Sequence, residues 1–225
     1  MYPRVFSSAL SLVVLAHGVV AATSEDHLVP RFPDSSWGVP GYYALLQKKL
    51  FLTRADYGRV LLLQSFTGEC ALAVYPSGSN TAYVTCTKAD EDLWQQRSSA
   101  LYSVPKDPAA DKRQIHITRV DAPLTISTAV AIRDALAAML RHTAPYRAGG
   151  PIVVDGTYIE FSLARADETV IGAVIPGMHS KNTSELAKIA YMLKTYCTTP
   201  SHQRIALAAQ IETRAKLLSR NLHAK

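Results

Sequence analysis

Residues 59 to 88, RVLLLQSFTGECALAVYPSGSNTAYVTCTK, hold three short β-prone runs and two of the chain's three cysteines. The runs are Val60 to Ser65, Cys70 to Tyr75 and Ala82 to Thr87, separated by segments rich in Gly, Pro, Ser and Asn. Runs of this length, bounded by turn formers, predict an antiparallel meander. A three-residue loop at Ser77-Gly78-Ser79 with a left-handed glycine would set Pro76 opposite Asn80, and so Cys70 opposite Cys86. In that register both thiols lie on one face, within reach of a disulfide. Leu72, Val74, Ala82 and Val84 share the cysteine face, which is expected to meet the core. Tyr75 and Tyr83 fall together on the opposite face.

The N-terminus sets the expected compartment. One early positive charge at Arg4, an apolar run from Val5 to Ala16 and the small residues Val20-Ala21-Ala22 have the order of a secretory signal peptide, with cleavage after Ala22. The apolar run is too short and too broken by serines to predict a membrane span, and no second stretch of spanning length follows. Export to the periplasm or the medium implies an oxidising environment, which favours a Cys70–Cys86 bridge. Cys197 is then the odd thiol, read first as a core residue.

Removing residues 1–22 leaves about 203 residues, enough for one domain with a substantial core. Residues 23–40, with three prolines and no periodicity, read as an extended lead-in that Phe32 and Trp37 pin to the domain, and 41–225 read as a single domain. The formal charge of +6 is dispersed until the C-terminus, so a nucleic-acid partner is not expected.

Along the domain, Gly41 to Leu52 reads as a short helix, and Ala100 to Val104 and Gln114 to Val120 as strands. A helix follows Pro123 and Thr125 through His142. Asp155-Gly156 between β-prone runs predicts a tight hairpin spanning 151–164, and Thr169 to Ile175 a further strand. Asn182 and Glu185 resemble a capping box ahead of a stripe of Leu186, Ile189, Ala190, Leu193 and Cys197. A last amphipathic helix runs from Ser201 to Leu222, with Ile205, Ala208, Ile211, Ala215, Leu218 and Leu222 inward. The fold class expected is α+β: a largely antiparallel sheet of six to eight strands, covered on one face by about four helices.

The chain lacks a Gly-x-Ser-x-Gly elbow, a phosphate loop, a dinucleotide glycine fingerprint, His-Glu-x-x-His and Cys-x-x-Cys. Three adjacent acids, Asp90-Glu91-Asp92, are too few for a calcium loop and suit a helix start instead. No metal or cofactor is expected. The best catalytic constellation combines Asp155 and Glu160 with His179, a set able to exchange protons if it converges in a hydrolase. Against it, Asp155 is accounted for by its turn and Glu160 alternates with Ile159 and Phe161 as a solvent-facing strand residue would. Abundant tyrosines, including Tyr75 and Tyr83, suit half-wet contact surfaces. The balance favours a non-enzymatic binding or accessory module, its partner another exported protein, a peptide or a cell-envelope component.

Overall fold

The computed structural model describes residues 26–31, 39–51, 57–65, 67–102, 114–145, 156–164, 168–178 and 180–223. The chain is α+β. Its elements, in order, are α1 (Tyr42–Leu50), β1 (Gly58–Gln64), β2 (Cys70–Pro76), β3 (Thr81–Ala89), α2 (Leu93–Tyr102), β4 (Ile117–Thr125), α3 (Ile126–Arg141), β5 (Thr157–Ala164), β6 (Thr169–Val174), α4 (Lys181–Thr198) and α5 (Ser201–His223). The six strands make one antiparallel sheet in the order β4-β3-β2-β1-β5-β6.

The meander forms as its alternation dictates, but two residues out of the expected register. Pro76 pairs with Ala82, not Asn80, and Cys70 pairs with Lys88 while Cys86 pairs with Leu72. The cause is the turn: Ser77 N–H donates to the Thr81 carbonyl at 2.8 Å, so the three-residue loop is Gly78-Ser79-Asn80, one position later than expected. Because the side-chain period is two, this slip keeps every residue on its expected face. Leu72, Val74, Ala82 and Val84 are buried on the cysteine face, where the strands of both halves meet α3 and α4.

Helices cover both faces, rather than one. On the cysteine face α3 and α4 lie against the sheet, and α5 packs across them as an outer layer. Gly58 lets α3 approach β1: it takes φ +128, and a Cβ there would collide with Cδ1 of Leu136. On the tyrosine face α1 is anchored by two buried carboxylates, Glu69 and Glu160. The N-terminal segment closes the β6 edge, since Val29 exchanges both backbone hydrogen bonds with Ala173, at 2.9 and 2.7 Å.

Other boundaries depart from the sequence reading for local reasons. Residues 100–102, read as a strand, end α2, which starts where Glu69 and Asp92 cap its first amides. The following strand is Ile117–Thr125 and takes in Pro123. Proline is tolerated there because β4 is an edge strand and Pro123 needs no ladder donor. α4 is capped by Ser180, whose Oγ accepts from Thr183 N–H, rather than by Asn182. Its predicted stripe of Leu186, Ile189, Ala190, Leu193 and Cys197 is buried throughout. On α5, Ile205 stands 80 % exposed instead of inward, while Ala208, Ile211, Ala215, Leu218 and Leu222 are buried. The strand expected before Asp155, Asp155 itself, Phe32, Trp37 and His179 lie outside the described residues.

Candidate functional site

Tyr75 and Tyr83 are directly paired on β2 and β3, half-buried, with ring centroids 6.0 Å apart and planes at 21°. Pairing continues outward from Tyr83 to Pro123, and from Thr85 to Asp121, on β4. Thr85 donates to Asp121, and Arg119 donates to the same carboxylate oxygen through Nε and Nη2, each at 3.3 Å. Arg119, Asp121 and Pro123 are exposed. The outer part of this face is therefore a stacked aromatic pair bordered by proline and an ion pair, a mixture suited to a contact surface.

The edge beside it carries backbone polarity. Pro123 has no N–H, so the Tyr83–Pro123 pair sits at a non-hydrogen-bonded position of the β3–β4 ladder. Alternation then turns the carbonyl of Pro123, and the amide groups of Asp121 and Arg119, away from β3. The Pro123 carbonyl takes the hydroxyl of Tyr196 at 2.5 Å, so α4 guards one end of this edge.

Glu160 occupies a different environment from the one its alternation suggests. It is 3 % exposed, not solvent-facing, because β5 lies inside the sheet and α1 covers its tyrosine face. Tyr43 donates to Oε1 at 2.5 Å, and the Arg31 guanidinium lies 4.3 Å from the Tyr43 ring centroid. Burial raises the Glu160 carboxyl above its ordinary range, while the Tyr43 hydrogen bond and Arg31 pull it down. The same burial, with Glu160 beside it, pushes the Tyr43 phenol up to about 12. Among the described residues Oε2 has no hydrogen-bond partner. This carboxyl joins α1, β5 and the N-terminal segment, and it is closed to a substrate in this arrangement. Asp155 and His179, its suggested companions, lie outside the described residues, so the structure neither brings the three together nor sets them apart.

Glu69 plays a related part that sequence reasoning missed. It is buried one residue ahead of β2, where it accepts Leu93 N–H at 2.9 Å, Trp94 N–H at 3.1 Å and the Tyr42 hydroxyl at 2.6 Å. A carboxylate on the first amides of a helix meets both the orphan donors and the positive end of the dipole. The only linear signal was an acid next to a buried strand. Tyr42 and Tyr158 are likewise core residues, not contact residues.

The three thiols gather on the cysteine face. Cys70 and Cys86 are diagonal neighbours across β2 and β3, reduced, with Sγ atoms 3.4 Å apart. Cys197, near the end of α4, is buried in the helix layer that packs on β3. Cys86 is thus central: hydrogen bonds from Cys197 and Cys70, with Lys194 and Lys88 nearby, favour its thiolate against the cost of burial. The outer two thiols are held up by donating to Cys86 and by burial.

Among the described residues, no group of three or more His, Cys, Asp or Glu side chains is arranged to hold a metal ion. No helix among them is long and apolar enough to cross a membrane. A groove of about 590 Å³ between α4 and α5 contains the Glu185–Arg214 ion pair but no histidine. No protein-family model, curated protein or solved structure matches this chain.

Proposed function

We propose that the chain is an exported, non-enzymatic binding module that takes an extended segment of another exported protein against the outer part of its tyrosine face and the edge of β4. The observation that carries this reading is the half-buried Tyr75–Tyr83 stack, continued by exposed Pro123, Asp121 and Arg119 on an edge strand. Tyrosines contribute contact area with little loss of side-chain freedom, and an edge strand supplies main-chain donors and acceptors for an extended ligand. Arg119 and Asp121 would give such a ligand its direction and register.

Export is part of the proposal. Cleavage after Ala22 leaves Asp26, Val29 and Arg31 in the mature chain, and these are residues the fold uses. In an oxidising compartment the Cys70–Cys86 pair closes from 3.4 Å to a bond of about 2.0 Å, stitching β2 to β3 beneath the tyrosines. The enclosure of Glu160 counsels against the alternative of a carboxylate hydrolase.

The test is a selection of random extended peptides displayed on phage against mature protein, followed by titration of the enriched peptides. Tyr83→Ala and Asp121→Arg should each weaken binding at least about tenfold, the scale of one lost anchor. The outward amides of Arg119 and Asp121 should gain protection from exchange in the complex. Enriched peptides indifferent to both substitutions, or no enrichment, would overturn the proposal.

A further inference from the structure

We infer that the extended ligand carries an acidic end, received by a basic groove between α1 and α2 at the far end of β4. The inference rests on the peptide-binding reading and names the chemistry that this surface takes. The groove has a volume of about 420 Å³. Leu45, Ala100 and Ile115 give it an apolar lining, and Lys48, Lys49 and Arg97 supply three positive charges. Among the described residues, no carboxylate lines it and none of the three cations forms an ion pair.

Local structure accounts for only part of this charge. Arg97 donates through Nε to the Pro40 carbonyl at 3.3 Å, a neutral partner. Lys48 and Lys49 lie in the last turn of α1, whose dipole offsets about half a charge of their two. The acids at the start of α2 are engaged elsewhere: Asp90 accepts His116 N–H and Asp92 accepts Gln95 N–H, each at 3.0 Å. Uncompensated cations beside apolar side chains suit a carboxylate borne on an extended chain.

The groove is continuous with the tyrosine face. Alternation puts Ile117, Arg119, Asp121 and Pro123 on the side of β4 that Tyr83 occupies on β3. Ile117 is half-buried, and Ile115, two residues ahead of it, lines the groove. The row therefore leads from the stacked rings to Lys48, Lys49 and Arg97. An extended chain covers about 26 Å between Pro123 and Ile115, so a ligand residue on Tyr83 is followed by the acid about eight positions away. β4 runs from the groove towards the tyrosines. A ligand strand antiparallel to it has its acidic end C-terminal.

The experiment uses the full mature chain with two probes: peptides enriched by the phage selection, and tetraglutamate as a probe of the groove alone. We expect the enriched peptides to carry Asp or Glu near one end. Replacing those acids by Asn or Gln should weaken binding to wild type at least about tenfold. On a Lys48→Gln, Lys49→Gln, Arg97→Gln variant the same replacement should matter less than about twofold, because the cations it would deprive are already gone. Tetraglutamate should shift amide resonances of α1 and α2 at the groove in wild type, with an affinity that falls as salt rises. Absence of those shifts overturns the inference. Peptides that need Tyr83 and Asp121 but lose nothing on neutralisation overturn the acidic end while leaving peptide binding standing. Neutralisation that costs the variant as much as wild type places the acid elsewhere and also overturns it. An empty selection alongside tetraglutamate shifts overturns the peptide reading, and the acidic end with it, while the basic groove stands. The neutralised peptides on wild type decide the question even if the variant does not fold.

Discussion

The hydroxyl of Tyr43 on α1 meets Oε1 of Glu160 on β5 at 2.5 Å, across 117 positions of sequence. Tyr43→Phe removes the donor and leaves a buried oxygen without one, so it should cost about 1 to 2 kcal/mol in denaturant melts. An unchanged midpoint would mean the hydroxyl contributes nothing to anchoring α1.

Glu160 also predicts a pH dependence. Its folded carboxyl is raised above the ordinary value of 4.5, so the folded state holds this proton more tightly than the unfolded chain does. The associated stability is present below 4.5 and is lost as pH rises through the folded value. Glu160→Gln keeps an acceptor for Tyr43 without a titrating group. Relative to wild type, the variant should gain stability as pH rises from about 4 to about 8. A flat difference across that range would show that the carboxyl ionises as freely inside as outside. Comparing the two proteins cancels the like-signed shift of Glu69.

Glu69→Ala strips two helix amides and the Tyr42 hydroxyl of their acceptor. The expected loss is about 2 to 4 kcal/mol, with faster amide exchange over Leu93–Tyr102. Exchange that speeds up evenly over the whole chain, with no excess in α2, would instead place the effect outside the cap.

Gly58→Ala tests the approach of α3 to β1. The new methyl meets Leu136 and sits at a positive φ, so a loss of about 2 kcal/mol or more is expected. Leu136→Ala in the same chain should relieve the clash, making the double variant less damaged than the sum of the single ones.

Asp26 accepts Asn182 N–H at 2.8 Å and its side-chain amide at 2.7 Å, tying the N-terminal segment to the start of α4. Asp26→Ala should cost about 1 kcal/mol and loosen both ends of that link, seen as faster exchange at the Val29 amide. Protection at Val29 equal to wild type would separate the segment from α4.

Alternation made the meander and the faces of β2 and β3 legible, since apolar and polar side chains report burial directly. The register was not, because it depended on which three residues the turn between Pro76 and Thr81 uses, and Ser-Gly-Ser-Asn permits more than one answer. Glu160 was misread for a deeper reason. A charged residue in an alternating strand signals solvent only when that face is open, and here the cover comes from Tyr43 and Arg31, distant in sequence. Ile205 failed the other way: helical spacing places it on the stripe, but its position on α5 leaves it 80 % exposed. The pairing of Tyr75 with Tyr83 was readable because a slip of two positions preserves sidedness, whereas the packing of α4 on β3 joins a helix to a sheet and leaves no local trace.

β1 lies in the middle of the sheet, yet one of its partners, β5, arrives about a hundred residues later, with Val60 meeting Phe161 and Leu62 meeting Ile159. A chain emerging N-terminus first can close the meander early and must then wait with a leucine-rich edge open. During that interval any other strand of suitable pattern is a competitor, including the same edge of a second molecule. The vulnerable period in the life of this protein thus falls between the completion of β3 and the delivery of β5. Slowed synthesis between those points should raise its yield of aggregates more than the same delay placed after β6.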